Sequence, residues 1–361
     1  MAEGAGLENR YTGNGIVGSN PTLSAPPNDS MTLTVGDRAA GSLLGLALGD
    51  ALGFVVEAAP PAQAAQYVRT DLRAGIPRFR ARPPFSPGQY SDDTQLAREL
   101  LLSIRDARGF DPAGFARRVG ALFAEGRAVG AGPGTRGAAE RLGAGVAWAD
   151  AGAPPPYAGN GAAMRAGPLG PLCEAGAPEV LIRVARDQAL VTHRDPRAVA
   201  GAIAIAGAAA LAARPGTLVP RHLLEELGEW VRPIDATMAD MIAAVAAWLG
   251  LAPTEAVRHL ALIGGSDGPW AGVSSSVVPS VAWSLFAFVR SPDDHWETLC
   301  TAIEVGGDTD SMAAMAGALS GARLGPGALP GALLSHLNDA GAWRSEDLSR
   351  LAYDCAAGFL L

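Results

Sequence analysis

The chain has 361 residues, 48% of them hydrophobic and 18% charged, with a formal net charge of −8. An acidic chain without a lysine or arginine run disfavours broad binding to nucleic acid or to a membrane surface, and an anionic substrate would need local help from metal ions or helix N-termini. Three scattered cysteines, Cys173, Cys300 and Cys355, form neither a disulfide framework nor a zinc pattern and fit free thiols in a reducing cytoplasm, the expected localisation.

Residues 1–33 read as a disordered leader: polar, rich in Gly, Asn, Pro and Ser, and without the apolar core of a signal peptide. Gly18-Ser19-Asn20-Pro21 is what GGT-TCG-AAT-CC encodes, as in the T-arm of a tRNA gene. Two readings stand: read-through from an upstream tRNA gene, with Met31 as the native start, or an ordinary disordered tail; N-terminal sequencing of native protein separates them. From residue 34 to 361 a single helical domain is expected. Asp37 is the expected cap of a helix over Ala39–Leu48. Further helices are expected at Thr94–Arg105, Pro112–Glu125 (capped by Asp111), Arg136–Ala149, Glu179–Leu190, Arg197–Ala213, Arg221–Val231, Ala236–Leu249, Thr254–Leu262, Val281–Val289, His295–Glu304 and Ser311–Ala322. No run alternates as a strand does, so the fold class is all-α. No stretch of about 18 strongly apolar residues is found; the nearest, Val199 to Ala213, is mostly alanine and glycine and reads as a buried helix.

Two short segments concentrate acids just ahead of apolar helices: Tyr90-Ser91-Asp92-Asp93-Thr94-Gln95 and Gly306-Gly307-Asp308-Thr309-Asp310-Ser311. Either could serve as an N-cap at an exposed helix start. Together they offer four carboxylates and several hydroxyls with no His or Cys nearby. That set of hard oxygens suits Mg²⁺, Mn²⁺ or Ca²⁺, and four carboxylates suit a pair of cations about 3.5–4 Å apart. A third segment, Gly45 to Gly53 followed by Glu57, places a lone acid in an apolar run. That acid needs a salt bridge, a metal or a catalytic role.

Five motifs now stand in order: G-x-x-x-G-D-A-x-G…E, S-D-D-T, G-N-x-x-x-M-R, T-H and G-G-D-T-D. Between Gly41 and Leu324 they closely resemble the ADP-ribosylglycohydrolase family. The resemblance implies a multi-helix bundle with two divalent cations, Mg²⁺ or Mn²⁺. It implies metal ligands at Ser91, Asp92, Asp93, Asp308, Asp310, Ser311 and Glu57, with Glu57 or Asp93 as the catalytic acid or base. Ser91 and Ser311 stand where many members have threonine, which keeps a hydroxyl oxygen. Three segments resemble the family's ADP-ribose cradle: the glycine loop with Gly130, Gly132, Gly134 and Thr135; the run Gly159, Asn160, Gly161, Met164 and Arg165; and His193. Glycines let a backbone approach a diphosphate closely. The segment Gly272–Phe288 resembles a family helix that follows a substrate-side loop.

The implied reaction is hydrolysis at the ribose anomeric carbon, through an oxocarbenium-like transition state. The implied partners are ADP-ribosylated proteins or small ADP-ribose conjugates, with neither membrane nor nucleic acid. In the arginine-cleaving, dinitrogenase-reductase-activating branch an aspartate usually sits in the glycine loop. Here that place is Ala131, and no acid lies between Arg127 and Ala139. The chain thus resembles the branch acting on serine-linked ADP-ribose, poly(ADP-ribose) or O-acetyl-ADP-ribose more. The alternatives are arginine-linked hydrolysis, a non-catalytic crystallin-like member and another two-metal hydrolase such as a phosphatase.

Overall fold

In chain order the helices are α1 Val35–Gly53, α2 Pro61–Tyr67, α3 Asp92–Ala107, α4 Pro112–Ala124, α5 Pro133–Gly143, α6 Trp148–Ala151, α7 Pro178–Leu190, α8 Pro196–Ala212, α9 Pro220–Val231, α10 Ala236–Trp248, α11 Pro253–Ala261, α12 Val277–Arg290, α13 His295–Ile303, α14 Thr309–Leu324, α15 Gly331–Leu334 and α16 Ser345–Gly358. The computed structural model describes residues 32–74, 78–173, 178–261 and 272–358. Nearly all of the expected leader, Leu262 and part of the 34–361 domain lie outside the described residues. Those from Leu33 onward cluster as one unit. Among the described residues no strand forms, and the all-α expectation holds; only isolated bridges join loops, such as Gly159 to Ser276 and Val273 to Gly307.

The helix starts follow local chemistry. Proline opens α2, α4, α5, α7, α8, α9 and α11, at a position whose N–H has no intrahelical partner anyway. Asp111, Asp195, Asp235 and Asp294 cap α4, α8, α10 and α13 through their carboxylates. At α1 the expectation needs correcting. Thr34 is the cap, and Asp37 is the third helical residue, closing a reciprocal capping box. The helix expected over Arg136–Ala149 is two, α5 and α6, because Gly145 takes a left-handed φ of 85° between them.

The core is organised by α1 against α14. Gly41, Gly45, Gly49 and Gly53 recur every fourth residue on one face of α1. A Cβ on any of them would lie 2.0–2.3 Å from a backbone oxygen of Gly321, Gly317, Ala313 or Thr309 in turn. The two helices therefore run antiparallel, backbone against backbone. This leaves Asp50, near the end of α1, beside the start of α14. The run Val35–Val56 is long and apolar enough by composition to span a bilayer, with mean hydropathy 1.8, yet its apolar window is 94% buried in the fold. The expectation that no such stretch exists is corrected here: five leucines, with Val35, Phe54, Val55 and Val56, carry the hydropathy despite Asp37, Arg38, Asp50 and the interspersed glycines. It is a core helix.

Candidate metal centre and substrate cleft

Asp50 builds the first half of the site. Its buried carboxylate accepts from the Ser91 amide (2.9 and 3.0 Å), the Thr94 amide (3.0 Å) and the Thr94 hydroxyl (2.6 Å). These bonds take up the donors at the start of α3 and pin that start to the end of α1. Ser91 is the N-cap, accepting from the Asp93 amide at 3.3 Å. Neither Asp92 nor Asp93 serves as the cap; both side chains are buried, and Asp93 Oδ2 accepts from the Ser91 hydroxyl at 3.1 Å. Asp92 N donates to Val129 O at 2.7 Å, which ties the glycine loop to the same helix start.

Asp308, Asp310 and Ser311 build the second half, at the start of α14. Asp308 occupies the cap position but makes no side-chain cap bond. Its Oδ2 accepts from Asn160 Nδ2 at 2.6 Å instead. The turn before it is held by Asp308 N donating to Val273 O at 2.8 Å, while Gly306 and Gly307 take φ of 70° and 95°. Those angles explain why glycines stand there. Ser311 Oγ lies 3.4 Å from Asp93 Oδ2, so the two acidic segments meet. Capping therefore accounts for Ser91 but not for the acids, and neither cluster sits at an exposed helix start.

Six carboxylates now share a small volume. Oxygens of Asp50, Asp93 and Asp310 lie within 4.8 Å of one another, as do those of Glu57, Asp308 and Asp310. Asp310 belongs to both groups. Burial, only partly offset by hydrogen bonds from Thr94 and Ser91 at Asp50 and from Asn160 at Asp308, leaves both raised to about 6, with the Glu57 charge adding to the rise at Asp308. Asp92, Asp93 and Asp310 stand well above the ordinary carboxylate range, through burial first and neighbouring carboxylates second. Among the described residues the one ion pair to this set is Arg82 to Glu57, at 2.8 Å. Asp93 Oδ1 is buried and has no hydrogen-bond partner among the described residues. Uncompensated buried carboxylates are costly, and an all-oxygen donor set with an orphaned oxygen fits hard divalent cations.

Above the carboxylates is a cleft of about 130 Å³ with the glycine loop on one wall and Tyr157 and His193 on another. A larger cavity of about 630 Å³, walled by Pro61, Val257, Leu260 and Val273, is mainly apolar and holds none of these acids.

A family profile described as ADP-ribosylglycohydrolase matches residues 31–359. The chain belongs to the ADP-ribosylglycohydrolase family. It is 29% identical to the ADP-ribosyl-[dinitrogen reductase] glycohydrolase of Rhodospirillum rubrum, over 84% of this chain and 92% of that one. It is also 29% identical to ADP-ribosylhydrolase ARH3 of Bos taurus, over 81% of this chain and 86% of that one. A solved ADP-ribosylglycohydrolase-related protein complex contains a chain that matches with a TM-score of 0.67 and 29% identity, covering 90% of this chain and 98% of that chain. The protein is thus a hydrolase of a family acting on ADP-ribosylated substrates.

Most residues expected in the site of this ADP-ribosylglycohydrolase do line the cleft: Glu57, Asp92, Asp93, Gly130, Gly132, Thr135, Gly159, Asn160, Gly161, Met164, His193, Asp308, Asp310 and Ser311. Three do not. Ser91 is turned inward, with its hydroxyl on Asp93. Gly134 lies behind Tyr157, donating its N–H to the Tyr157 hydroxyl at 3.2 Å. Arg165, expected at the substrate, is wholly buried and spends its guanidinium on Gln188, Gly161 and Thr192. It supports the loop rather than touching the cleft. Sequence reasoning missed Asp50, Tyr157 and Ser275. Asp50 stood in the G-D-A-x-G motif as an acid inside an apolar helix, the same signal that singled out Glu57. Tyr157, two residues before Gly159, and Ser275, within Gly272–Phe288, carry no local signal that they face a ligand.

Proposed function

We propose that this hydrolase cleaves the ribosyl C1″ bond of serine-linked ADP-ribose or of O-acetyl-ADP-ribose, releasing ADP-ribose. The observation that carries the reading is the source of the acids. Glu57 brings its carboxylate to Asp308 and Asp310, while the glycine loop facing them contributes no acid. The ligands would be Asp92, Asp93, Asp308, Asp310, Ser311 and Glu57, holding Mg²⁺ or Mn²⁺, with Ser91 positioned to support Asp93. Two such cations would supply charge to anchor a ribose diol and to lower the pKa of a water.

The protein groups do the rest. Glu57 is the more accessible of the two candidate proton carriers, being half-buried where Asp93 is enclosed; it is our choice for moving the proton. Arg82 holds one Glu57 oxygen, Oε2, leaving the other for the reaction. Asn160 fixes Asp308 while it donates toward Ser280 as well. Thr135, at the start of α5, and the glycine backbones leave room for a diphosphate at the far end of the cleft.

The test is release of free ADP-ribose from serine-linked, arginine-linked and O-acetyl substrates, with Mg²⁺, Mn²⁺ or EDTA, beside Asp310→Asn. Metal-dependent release from the serine or O-acetyl substrate, at least about a hundredfold lower in the variant, is expected. Preferential release from the arginine substrate would overturn the branch assignment.

A further inference from the structure

Arg165, Thr192 and His193 form a chain running from the interior to the cleft. Arg165 Nη2 donates to Thr192 Oγ1 at 2.8 Å, and that hydroxyl lies 2.9 Å from His193 Nδ1. We propose that Arg165 and Thr192 are positioning residues that fix His193 as the tautomer protonated on Nε2, so that Nε2–H donates to an acceptor oxygen of the bound ADP-ribose unit.

A threonine hydroxyl has a single hydrogen. Its oxygen here already accepts from Arg165, a side chain that cannot accept in return. The hydrogen must go to an acceptor, and among the described residues His193 Nδ1 is the one in reach. The other tautomer would leave a fully buried Thr192 hydroxyl hydrogen with no acceptor, a costly arrangement. Arg165 cannot turn away to change this. Its Nε donates to Gln188 Oε1 (2.7 Å), Nη1 to Gly161 O (2.9 Å) and Nη2 to Gln188 O (2.8 Å). Gln188 is oriented in turn by donating to Ala162 O at 3.0 Å.

The opposite ring nitrogen faces the substrate side. Among the described residues Nε2 has no protein partner, and His193 lines the cleft. Glycines surround it: a Cβ at Gly134, Gly159 or Gly161 would come within 3.0, 3.2 or 3.4 Å of Nε2. The absent side chains leave space for a ligand oxygen. Burial, and then the Arg165 charge, lowers the imidazole to about 3, so it stays neutral near pH 7. Arg165, lowered to about 9 by burial, stays cationic there. The identity of the ligand rests on the functional reading above; the tautomer does not.

The tautomer is read from ¹⁵N shifts of histidine-labelled whole protein near pH 7, the His193 signals being assigned by their loss in His193→Gln. Protonated Nε2 and bare Nδ1 are expected. Thr192→Val should shift the population toward Nδ1–H and weaken ADP-ribose binding by calorimetry about tenfold, raising KM more than it lowers kcat. Thr192→Ser should restore both. A wild-type His193 protonated on Nδ1 overturns the proposal, as does Thr192→Val leaving the tautomer unchanged. If wild type shows the Nε2–H form but binds no ADP-ribose, the functional reading fails while the tautomer assignment stands. Melting curves of both threonine variants check that they fold.

Discussion

Glu57 has to be held at the edge of a cluster of like charges, and Arg82 is the group that does so. Its Nη1 donates to Glu57 Oε2 and to the Phe54 carbonyl. Its guanidinium lies 3.9 Å from the Phe54 ring centre, and Phe85 packs edge-on against that ring at 5.2 Å. A planar cation stacked and doubly bonded in this way is not replaceable by a flexible point charge. Arg82→Ala should therefore lower kcat/KM about tenfold, and Arg82→Lys should recover only part of that, because the orientation of Glu57 is lost rather than its charge. The melting temperature should hardly move, since a partly exposed pair contributes little to stability. Steady-state kinetics and a melting curve check both; unchanged kcat/KM in Arg82→Ala would remove Arg82 from the working site. At this scale the sequence was legible wherever an acid stood against an apolar background near a turn, as with Glu57, Asp92 and Asp310. Asp50 carried the same signal but not its role, because its partners, Ser91 and Thr94, lie 41 and 44 residues away. Sequence reasoning misplaced Arg165 because motif spacing says nothing about which way a long side chain turns.

Between elements the decisive contact is α1 on α14, since it sets where Asp50 and Asp310 meet. A Cβ on Gly49 would lie 2.0 Å from Ala313 O, and both sides of that contact are backbone. Nothing can swing aside, so Gly49→Ala should cost about 3 kcal/mol or more and weaken metal binding with it. Gly120, inside α4, has nothing within 4 Å of its would-be Cβ. Gly120→Ala should instead stabilise by about 0.5–1 kcal/mol, because alanine is the better helix former. Denaturant titration of the two variants checks the contrast, and equal effects would mean that the close approach is not what selects glycine at 49. The same glycines explain why the helix expected from periodicity covers only Ala39–Leu48. Glycine reads as a helix weakener, while its packing role appears only once α14 is alongside. Asp111 and Pro112 marked the start of α4, and the starts expected for α8 and α10 fall within a residue of Pro196 and Ala236. α16 was missed although Leu348, Leu351, Ala352 and Cys355 make a buried stripe at helical spacing. α2 is seven residues long and too short to establish a period.

For the whole molecule, the carboxylate cluster makes stability a function of both pH and metal. Without cations, the folded protein holds Asp50 and Asp308 at about 6, against an ordinary value of 3.8. Asp92, Asp93 and Asp310 are raised as well. Between roughly pH 4 and 6, and beyond for the more strongly raised groups, the folded state therefore binds more protons than the unfolded one. The stability contributed by these groups is present at low pH and is lost as pH rises through their folded values. His193 and His295 act the other way. Burial lowers them to about 3 and about 4, so their contribution falls as pH drops below about 6.5. Neither is a ligand, so both terms are common to the metal-free and metal-bound protein and cancel in the difference between them. Cations bind the deprotonated cluster and displace its protons, so metal affinity rises with pH. The rise in melting temperature on replacing EDTA by excess Mn²⁺ should accordingly be small at pH 5 and larger by about 4 °C or more at pH 7.5. Asp93→Asn, which removes one charge from the cluster, should melt higher than wild type in EDTA and lose most of the Mn²⁺ shift. Calorimetry at both pH values checks each point. A Mn²⁺ shift as large at pH 5 as at pH 7.5 would mean that the cation is not held by these titrating carboxylates.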